Sequence, residues 1–143
     1  MQFEVNHSGD KTVPDEFTQK VRNYFLKSIP QNTYYSSVAI FENKIIANAG
    51  VVFYEKPPTI YGGSGLIGYV TNVYTEEKFR GLGIGTQLMR ELNTLALKLG
   101  ADKLHLGATS DGLSIYKAVG YVEPRFVNLE VRAPFNNDSI LSK

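Results

Sequence analysis

The sequence predicts a mixed α/β (α+β) domain: a mostly antiparallel central sheet flanked by helices. Three observations carry this. Two β-rich runs near the front are joined by a short polar tip, a glycine-rich turn sits directly before a long apolar-striped run, and short β-rich and helical segments alternate towards the end. At 143 residues the chain is expected to form one domain, 1–143, large enough for a hydrophobic core.

Residues 14–28 (PDEFTQKVRNYFLKS) place Phe17, Val21, Tyr24, Phe25 and Ser28 near helical spacing. Pro14 suits a first-turn position, Asp15 and Glu16 sit near the positive helix end, and Pro30 stops the helix. The runs TYYSSVAIF and IIANAGVVFY flank Glu42, Asn43 and Lys44, which predicts an antiparallel hairpin. EKPPTIYGGSG is a loop, and LIGYVTNVYT (66–75) is a strand with Leu66, Gly68, Val70 and Asn72 on one face. Its other face carries Ile67, Tyr69, Thr71 and Val73. In the next helix Ile84, Leu88, Leu92, Leu95 and Leu99 form the apolar stripe, and Gly100 ends it. DKLHLGA predicts a short strand, DGLSIYKAVG a short helix, and YVEPRFVNLEV a last strand interrupted by Pro124. The tail after it is polar and expected to be loose.

Composition narrows the function classes. The net charge is +1, which disfavours a phosphate-backbone binder of nucleic acid and gives no attraction to an anionic membrane. No cysteine is present, which removes thiolate nucleophiles, disulfides and cysteine zinc sites and fits a reducing compartment. With two histidines, His7 and His105, no histidine-rich metal site is expected. No apolar run is long enough to span a membrane and the first residues lack signal-peptide character, so the expectation is a cytoplasmic protein.

The stretch FRGLGIGT (79–86) places three glycines and Arg80 immediately before the striped helix. A helix start has N–H groups without intrahelical partners and a positive dipole end, and glycines let more N–H groups converge on a phosphate. A plain glycine-assisted turn is the other reading. The Walker A pattern fails because Gly85-Thr86-Gln87 supplies no lysine. The dinucleotide fingerprint fails because Thr86 stands where its third glycine would be, with Asp102 as a possible ribose partner.

Arg80, Gly83 and Gly85 do fit the pattern Arg/Gln-x-x-Gly-x-Gly/Ala, and SIYKAVGYVE supplies a tyrosine-bearing short helix followed by Gly-aromatic. Together these motifs resemble the GNAT (Gcn5-related N-acetyltransferase) superfamily, over residues 34–131. The resemblance implies a splayed strand pair that holds acetyl-CoA as co-substrate. Val73, Tyr74 and Thr75 would offer main-chain groups to the pantetheine arm and acyl carbonyl. Arg80, Gly81, Leu82, Gly83, Ile84, Gly85 and Thr86 would hold the pyrophosphate.

Tyr116 would be the general acid that protonates the departing thiolate, or else a packing residue. Asn72 is a candidate for orienting water, and His105 a candidate base or a plain polar strand residue; the central strand has no carboxylate. Thr109 stands where many relatives carry a cofactor-contacting Asn, and Ser110 or Ser114 could replace that contact. Gly62, Gly63 and Gly65 would form a loop over the acceptor side.

Relative to the family the front lacks part of the usual first strand and helix, unless residues 1–11 are its remnant. The implied activity is transfer of an acetyl group to a primary amine, small-molecule or peptide, with a possible homodimer. A non-catalytic acyl-CoA-binding module is the alternative. No nucleic acid, membrane or metal partner is expected.

Overall fold

The structure, a computed structural model, describes residues 13–61 and 63–134. Its elements in chain order are α1 (Asp15–Ser28), β1 (Tyr34–Phe41), β2 (Lys44–Glu55), β3 (Leu66–Thr75), a 3-10 turn (Glu77–Phe79), α2 (Ile84–Lys98), β4 (Lys103–His105) and α3 (Leu113–Ala118). The sheet order is β1-β2-β3-β4. β1, β2 and β3 are antiparallel neighbours, whereas β4 returns parallel to β3 after the α2 crossover. A two-stranded hairpin needs only a tip, but a parallel return needs a helix-length connection. The predicted mixed, mostly antiparallel sheet with flanking helices is therefore the observed one.

Alternation in β2 builds the core. Ala47, Ala49, Val51 and Phe53 are buried and pack with Val70 of β3 against Leu88, Met89, Leu92 and Ala96 of α2. Met89 and Leu92 are essentially inaccessible. Truncating such a leucine to alanine typically costs about 2–5 kcal/mol. The predicted α2 stripe is rotated slightly: Met89 and Ala96 join the buried face, while Leu99 is left exposed. A step of one residue around a helix is about 100°, so Met89 beside Leu88 still falls within a wide core-facing stripe. On the opposite face Phe25 of α1 meets Tyr34 edge-on, at a ring separation of 4.6 Å.

Three expectations need correction. Pro14 is the N-cap of α1, with ψ 138°, and so stands one position outside the first turn. The segment predicted as a last strand, 121–131, forms no strand. Pro124 donates no N–H, and the short β4 offers little edge for a new strand to extend. Val122, Phe126, Val127, Leu129 and Val131 are consequently exposed.

Strict alternation through β3 also fails. Asn48 pairs with Tyr74 and Gly50 with Thr71, so Asn72 and Val73 together face Ala49 in a bulge. Val73 therefore packs on the same core as Val70 instead of on the opposite face.

Gly63 and Gly65, expected in a loop over the acceptor side, lie just before β3, at the end away from the glycine turn. Asp102, just before β4, accepts from the Ser64 and Gly65 N–H groups at 3.0 and 2.7 Å, and the Ser64 hydroxyl reaches the Gly100 carbonyl at 3.2 Å. That fixes the loop at the C-terminal end of α2, the opposite end of β3. Gly62 and residues 1–12, including the suspected remnant of a first helix, lie outside the described residues, as does the tail beyond Pro134.

Candidate active site

The candidate site lies where β3 ends and α2 begins. β3 pairs with β4 only through Ile67, Gly68 and Tyr69, opposite Lys103, Leu104 and His105. Beyond Tyr69, residues 70–75 have no β4 partner among the described residues. A strand edge of this kind presents main-chain N–H and C=O groups to an incoming extended molecule. Val73, Tyr74 and Thr75, singled out from the sequence, all fall on this stretch.

The chain then turns sharply. Glu76 N–H donates to the Ile46 carbonyl at 2.8 Å, which ends the ladder, and the 3-10 turn is held to the hairpin by Phe79 against Phe41 at 5.4 Å. Arg80 Nε donates to the Thr75 carbonyl at 2.9 Å, and its guanidinium stands 5.8 Å from the Tyr74 ring. Arg80 thus clamps the turn to the strand end while its outer N–H groups stay at an exposed position.

Gly81 and Gly83 take φ values of 74° and 80°, a region where a Cβ costs about 1–2 kcal/mol. A Cβ built at either would meet nothing within 4 Å. Their glycine identity therefore follows from backbone conformation and leaves open space in front of the helix. Gly83 is the N-cap of α2, no side chain caps the helix, and the first intrahelical bond runs from Gln87 N–H to the Gly83 carbonyl at 3.0 Å. The N–H groups of Ile84, Gly85 and Thr86 precede that bond and so have no partner within the helix. α1 carries Asp15 and Glu16 in its first turn, but α2 carries no acid there, so its positive end is not offset locally.

Gly85 serves another purpose: a Cβ there would lie 3.5 Å from Ile115 and 3.8 Å from the Thr75 hydroxyl. It marks the seam where β3, α2 and α3 meet. That seam brings the helix bearing Tyr116 beside the glycine turn. Tyr116 folds its ring back over Gly112, where a Cβ would come within 2.9 Å, and packs partly against the core. Burial raises its hydroxyl above the ordinary phenol range.

Its neighbour Tyr121, 6.1 Å away ring to ring, is pushed up to about 12 by burial and by proximity to Tyr116. Tyr121 donates to Asn93 of α2 at 3.0 Å, and Asn93 donates to the Val119 carbonyl at 3.1 Å, which ties α3 to α2.

The remaining candidates divide. Asn72 sits in the bulge with a left-handed φ of 54°, adjacent to Val73. His105 pairs with Tyr69, and its Nε2 shares a hydrogen bond with the Tyr54 hydroxyl at 2.9 Å. Its ring lies among Tyr54 and Tyr69, away from the glycine turn. Burial, then Lys103 and Lys56, lower its pKa. Ser110 is exposed in the turn before α3 and Thr109 accepts from Gly112 N–H at 3.1 Å. Among the described residues no group of His, Asp or Glu is placed to hold a metal ion. Sequence reasoning missed Asn48, Gly50 and Tyr34 around the bulge; a glycine inside a β-rich run was the available signal.

The Acetyltransferase (GNAT) domain family matches residues 30–123, most of the chain and all the elements just described except α1. The chain belongs to the GNAT acetyltransferase family. Its fold is similar to that of a predicted acetyltransferase from Clostridium acetobutylicum solved with acetyl-CoA, at TM-score 0.73 and 30% identity, covering 83% of this chain and 79% of that one. It also resembles glucosamine-6-phosphate N-acetyltransferase from Arabidopsis thaliana in fold, at TM-score 0.67 and 19% identity, covering 85% of this chain and 81% of that one.

In sequence, this GNAT domain is 32% identical over 82 residues to a probable glucosamine 6-phosphate N-acetyltransferase 2 of Oryza sativa subsp. japonica. That match takes in 57% of this chain and 48% of the relative, so the chain spans about half that relative's length. No helix among the described residues is long and apolar enough to cross a membrane.

Proposed function

We propose that this GNAT domain transfers an acetyl group from acetyl-CoA to a primary amine by direct attack in a ternary complex. The observation that carries the reading is the coincidence of two binding features at one end of β3. The open edge at residues 70–75 suits an amide-bearing pantetheine arm, and the uncapped start of α2, 81–86, suits the pyrophosphate. Arg80 joins the two and adds a full positive charge at the rim.

In the reaction the neutral amine nitrogen attacks the thioester carbonyl carbon. The new C–N bond forms, the C–S bond breaks, and the carbonyl oxygen carries negative charge in between. Main-chain N–H groups around Val73 would stabilise that oxygen. The nitrogen sheds one proton and the sulfur gains one, so the products are an amide and a thiol. Tyr116 is the donor to sulfur. A raised phenol pKa keeps its proton at neutral pH but makes it a weaker acid than the thiol. Tyr116 therefore acts chiefly by hydrogen-bonding the departing sulfur, and where its proton passes to sulfur the proton shed by the amine restores the phenol.

One observation favours a second reading, an acyl-CoA-binding module: neither β3 nor β4 carries a carboxylate to serve as base. The acceptor is a small-molecule or peptide amine, and glucosamine 6-phosphate is the first to try because relatives bear its name.

Calorimetric titration with acetyl-CoA, followed by thiol release with glucosamine 6-phosphate, polyamines and lysine peptides, tests both readings. Binding with turnover on any amine supports the transferase. Binding without turnover supports the module, and no binding defeats both.

A further inference from the structure

The bulge in β3 is held by a side-chain cluster on the α1 face of the sheet. Asn72 occupies a left-handed conformation that residues with a Cβ seldom take. Three neighbours converge on it. Asn48 Nδ2 donates to its main-chain carbonyl. Thr71 Oγ1 donates to its side-chain oxygen at 3.4 Å. Asn72 Nδ2 in turn donates to the Tyr34 hydroxyl at 3.4 Å.

Tyr34 reaches that point by a path the fold keeps clear. It begins β1, is only 3% exposed, and is wedged between Phe25 and Tyr24 of α1 at ring separations of 4.6 and 6.2 Å. Its hydroxyl passes directly over Gly50, where a Cβ would lie 2.0 Å from the oxygen and 2.7 Å from the ring carbon that bears it. Gly50 has no left-handed φ to explain it, so its identity follows from Tyr34. Burial raises the Tyr34 pKa, while its hydrogen bonds to Asn72 and Ser36 work against that rise. A buried hydroxyl at this depth must be hydrogen-bonded, and Asn72 is one of the partners that satisfy it.

We propose that Tyr34 is a positioning residue for acyl transfer: through Asn72 it fixes the bulge that releases the Asn72 and Val73 main chain from one-to-one pairing with β2, where the acyl carbonyl of the donor is to be received. The inference rests on the acyl-transfer reading above and deepens it. The aromatic wedge of α1, on one face of the sheet, is thereby connected to a main-chain site on the central strand. Without the tether only Asn48 and Thr71 remain to hold Asn72 at its left-handed φ, and an ordinary two-residue alternation would return Val73 to the opposite face.

Tyr34→Phe removes the hydroxyl and keeps the wedge. Amide hydrogen exchange on the full chain is the first measurement. Exchange at Asn72 and Val73 should speed up by about fivefold or more, the worth of one hydrogen bond, with the rest of β2 and β3 unchanged. Unchanged exchange at those two amides overturns the proposal. With an amine that wild type acetylates, kcat should fall about tenfold while the acetyl-CoA Kd stays within about twofold, because misplacement acts on the reacting atoms. An unchanged kcat, or equal losses in kcat and affinity, overturns it.

Asn72→Gly supplies the second variant, since glycine accepts the same φ without a tether. On that background Tyr34→Phe should have no additional effect on kcat, whereas additive losses show that the Tyr34 hydroxyl acts by a route other than Asn72 and overturn the proposal. Wild type that binds acetyl-CoA but turns over no amine overturns the acyl-transfer reading and the catalytic half of this one. The exchange measurement then decides whether Tyr34 holds the bulge.

Discussion

Gly83 offers a test of the pyrophosphate cradle in which stability and affinity move differently. It is the N-cap of α2 at φ 80°, exposed, with open space where a Cβ would stand. Gly83→Asp and Gly83→Asn place nearly isosteric side chains there, both from the residue types most tolerant of a left-handed φ. Each loses up to about 1 kcal/mol to that conformation. The aspartate regains about 0.3–1 kcal/mol beside the positive helix end. Gly83→Asp should therefore be no less stable than Gly83→Asn.

Affinity should split the other way. A carboxylate about 5 Å from a phosphate charge is repelled by about 0.8 kcal/mol at the dielectric of water and by about 3.3 kcal/mol at an effective value near 20. Two phosphate charges make the aqueous limit about 1.7 kcal/mol, between ten- and twentyfold in Kd. Calorimetric titration with acetyl-CoA at low salt, where screening is weakest, should show at least that ratio between the two variants, and added salt should shrink it. If Gly83→Asp and Gly83→Asn bind within twofold of each other at low salt, the phosphates do not sit at the start of α2.

Four further outcomes are expected. Tyr116→Phe should lower turnover by about tenfold or more, the worth of a hydrogen bond to the charged departing sulfur, and leave acetyl-CoA affinity unchanged; equal turnover under chemistry-limited conditions would reduce Tyr116 to a packing residue. Gly68→Ala puts a Cβ 2.2 Å from Leu104 Cδ2 and 3.1 Å from Val51 and Phe53. It should cost about 1–3 kcal/mol in urea denaturation, and an unchanged midpoint would mean that Leu104 yields freely.

His105, held below its ordinary pKa of 6.5 by burial and by Lys103 and Lys56, binds a proton more readily in the unfolded chain. Its contribution to stability is therefore intact above pH 6.5 and falls as pH drops from there through the lowered folded value. His105→Gln should flatten that part of the stability profile relative to wild type, and an identical slope would contradict the assignment. Asp102→Ala should cost about 1–3 kcal/mol by freeing the N–H groups of Ser64 and Gly65, with acetyl-CoA affinity intact. A large loss of affinity would mean that the 63–65 loop communicates with the cofactor end.

The order of elements, the hairpin and the glycine-led helix were all legible in the sequence, because each is set by contacts a few residues apart. Gly81 and Gly83 were read from spacing, and the left-handed φ values supply the reason for them. Helical periodicity located Leu88 and Leu92 in the core for the same local reason. Local pattern also misled. Residues 121–131 read as a strand, but a strand requires a partner edge, and whether one is free depends on elements distant in sequence. Asp102, whose spacing suited a ribose partner only under the dinucleotide fingerprint that Thr86 breaks, fastens a loop 37 residues away.

The sequence by itself determined the family-specific pieces: the cradle motif, the tyrosine-bearing helix, and the strand between loop and crossover. Only the tertiary structure decided where β4 stops pairing, that the helix bearing Tyr116 meets the seam at Gly85 through Ile115, and that Tyr34 reaches Asn72 across Gly50. The physical reason is range. Backbone conformation and amphipathic pattern are encoded between near neighbours, whereas an open strand edge, a bulge and a hydroxyl lodged over a glycine exist only once separate strands are brought into register.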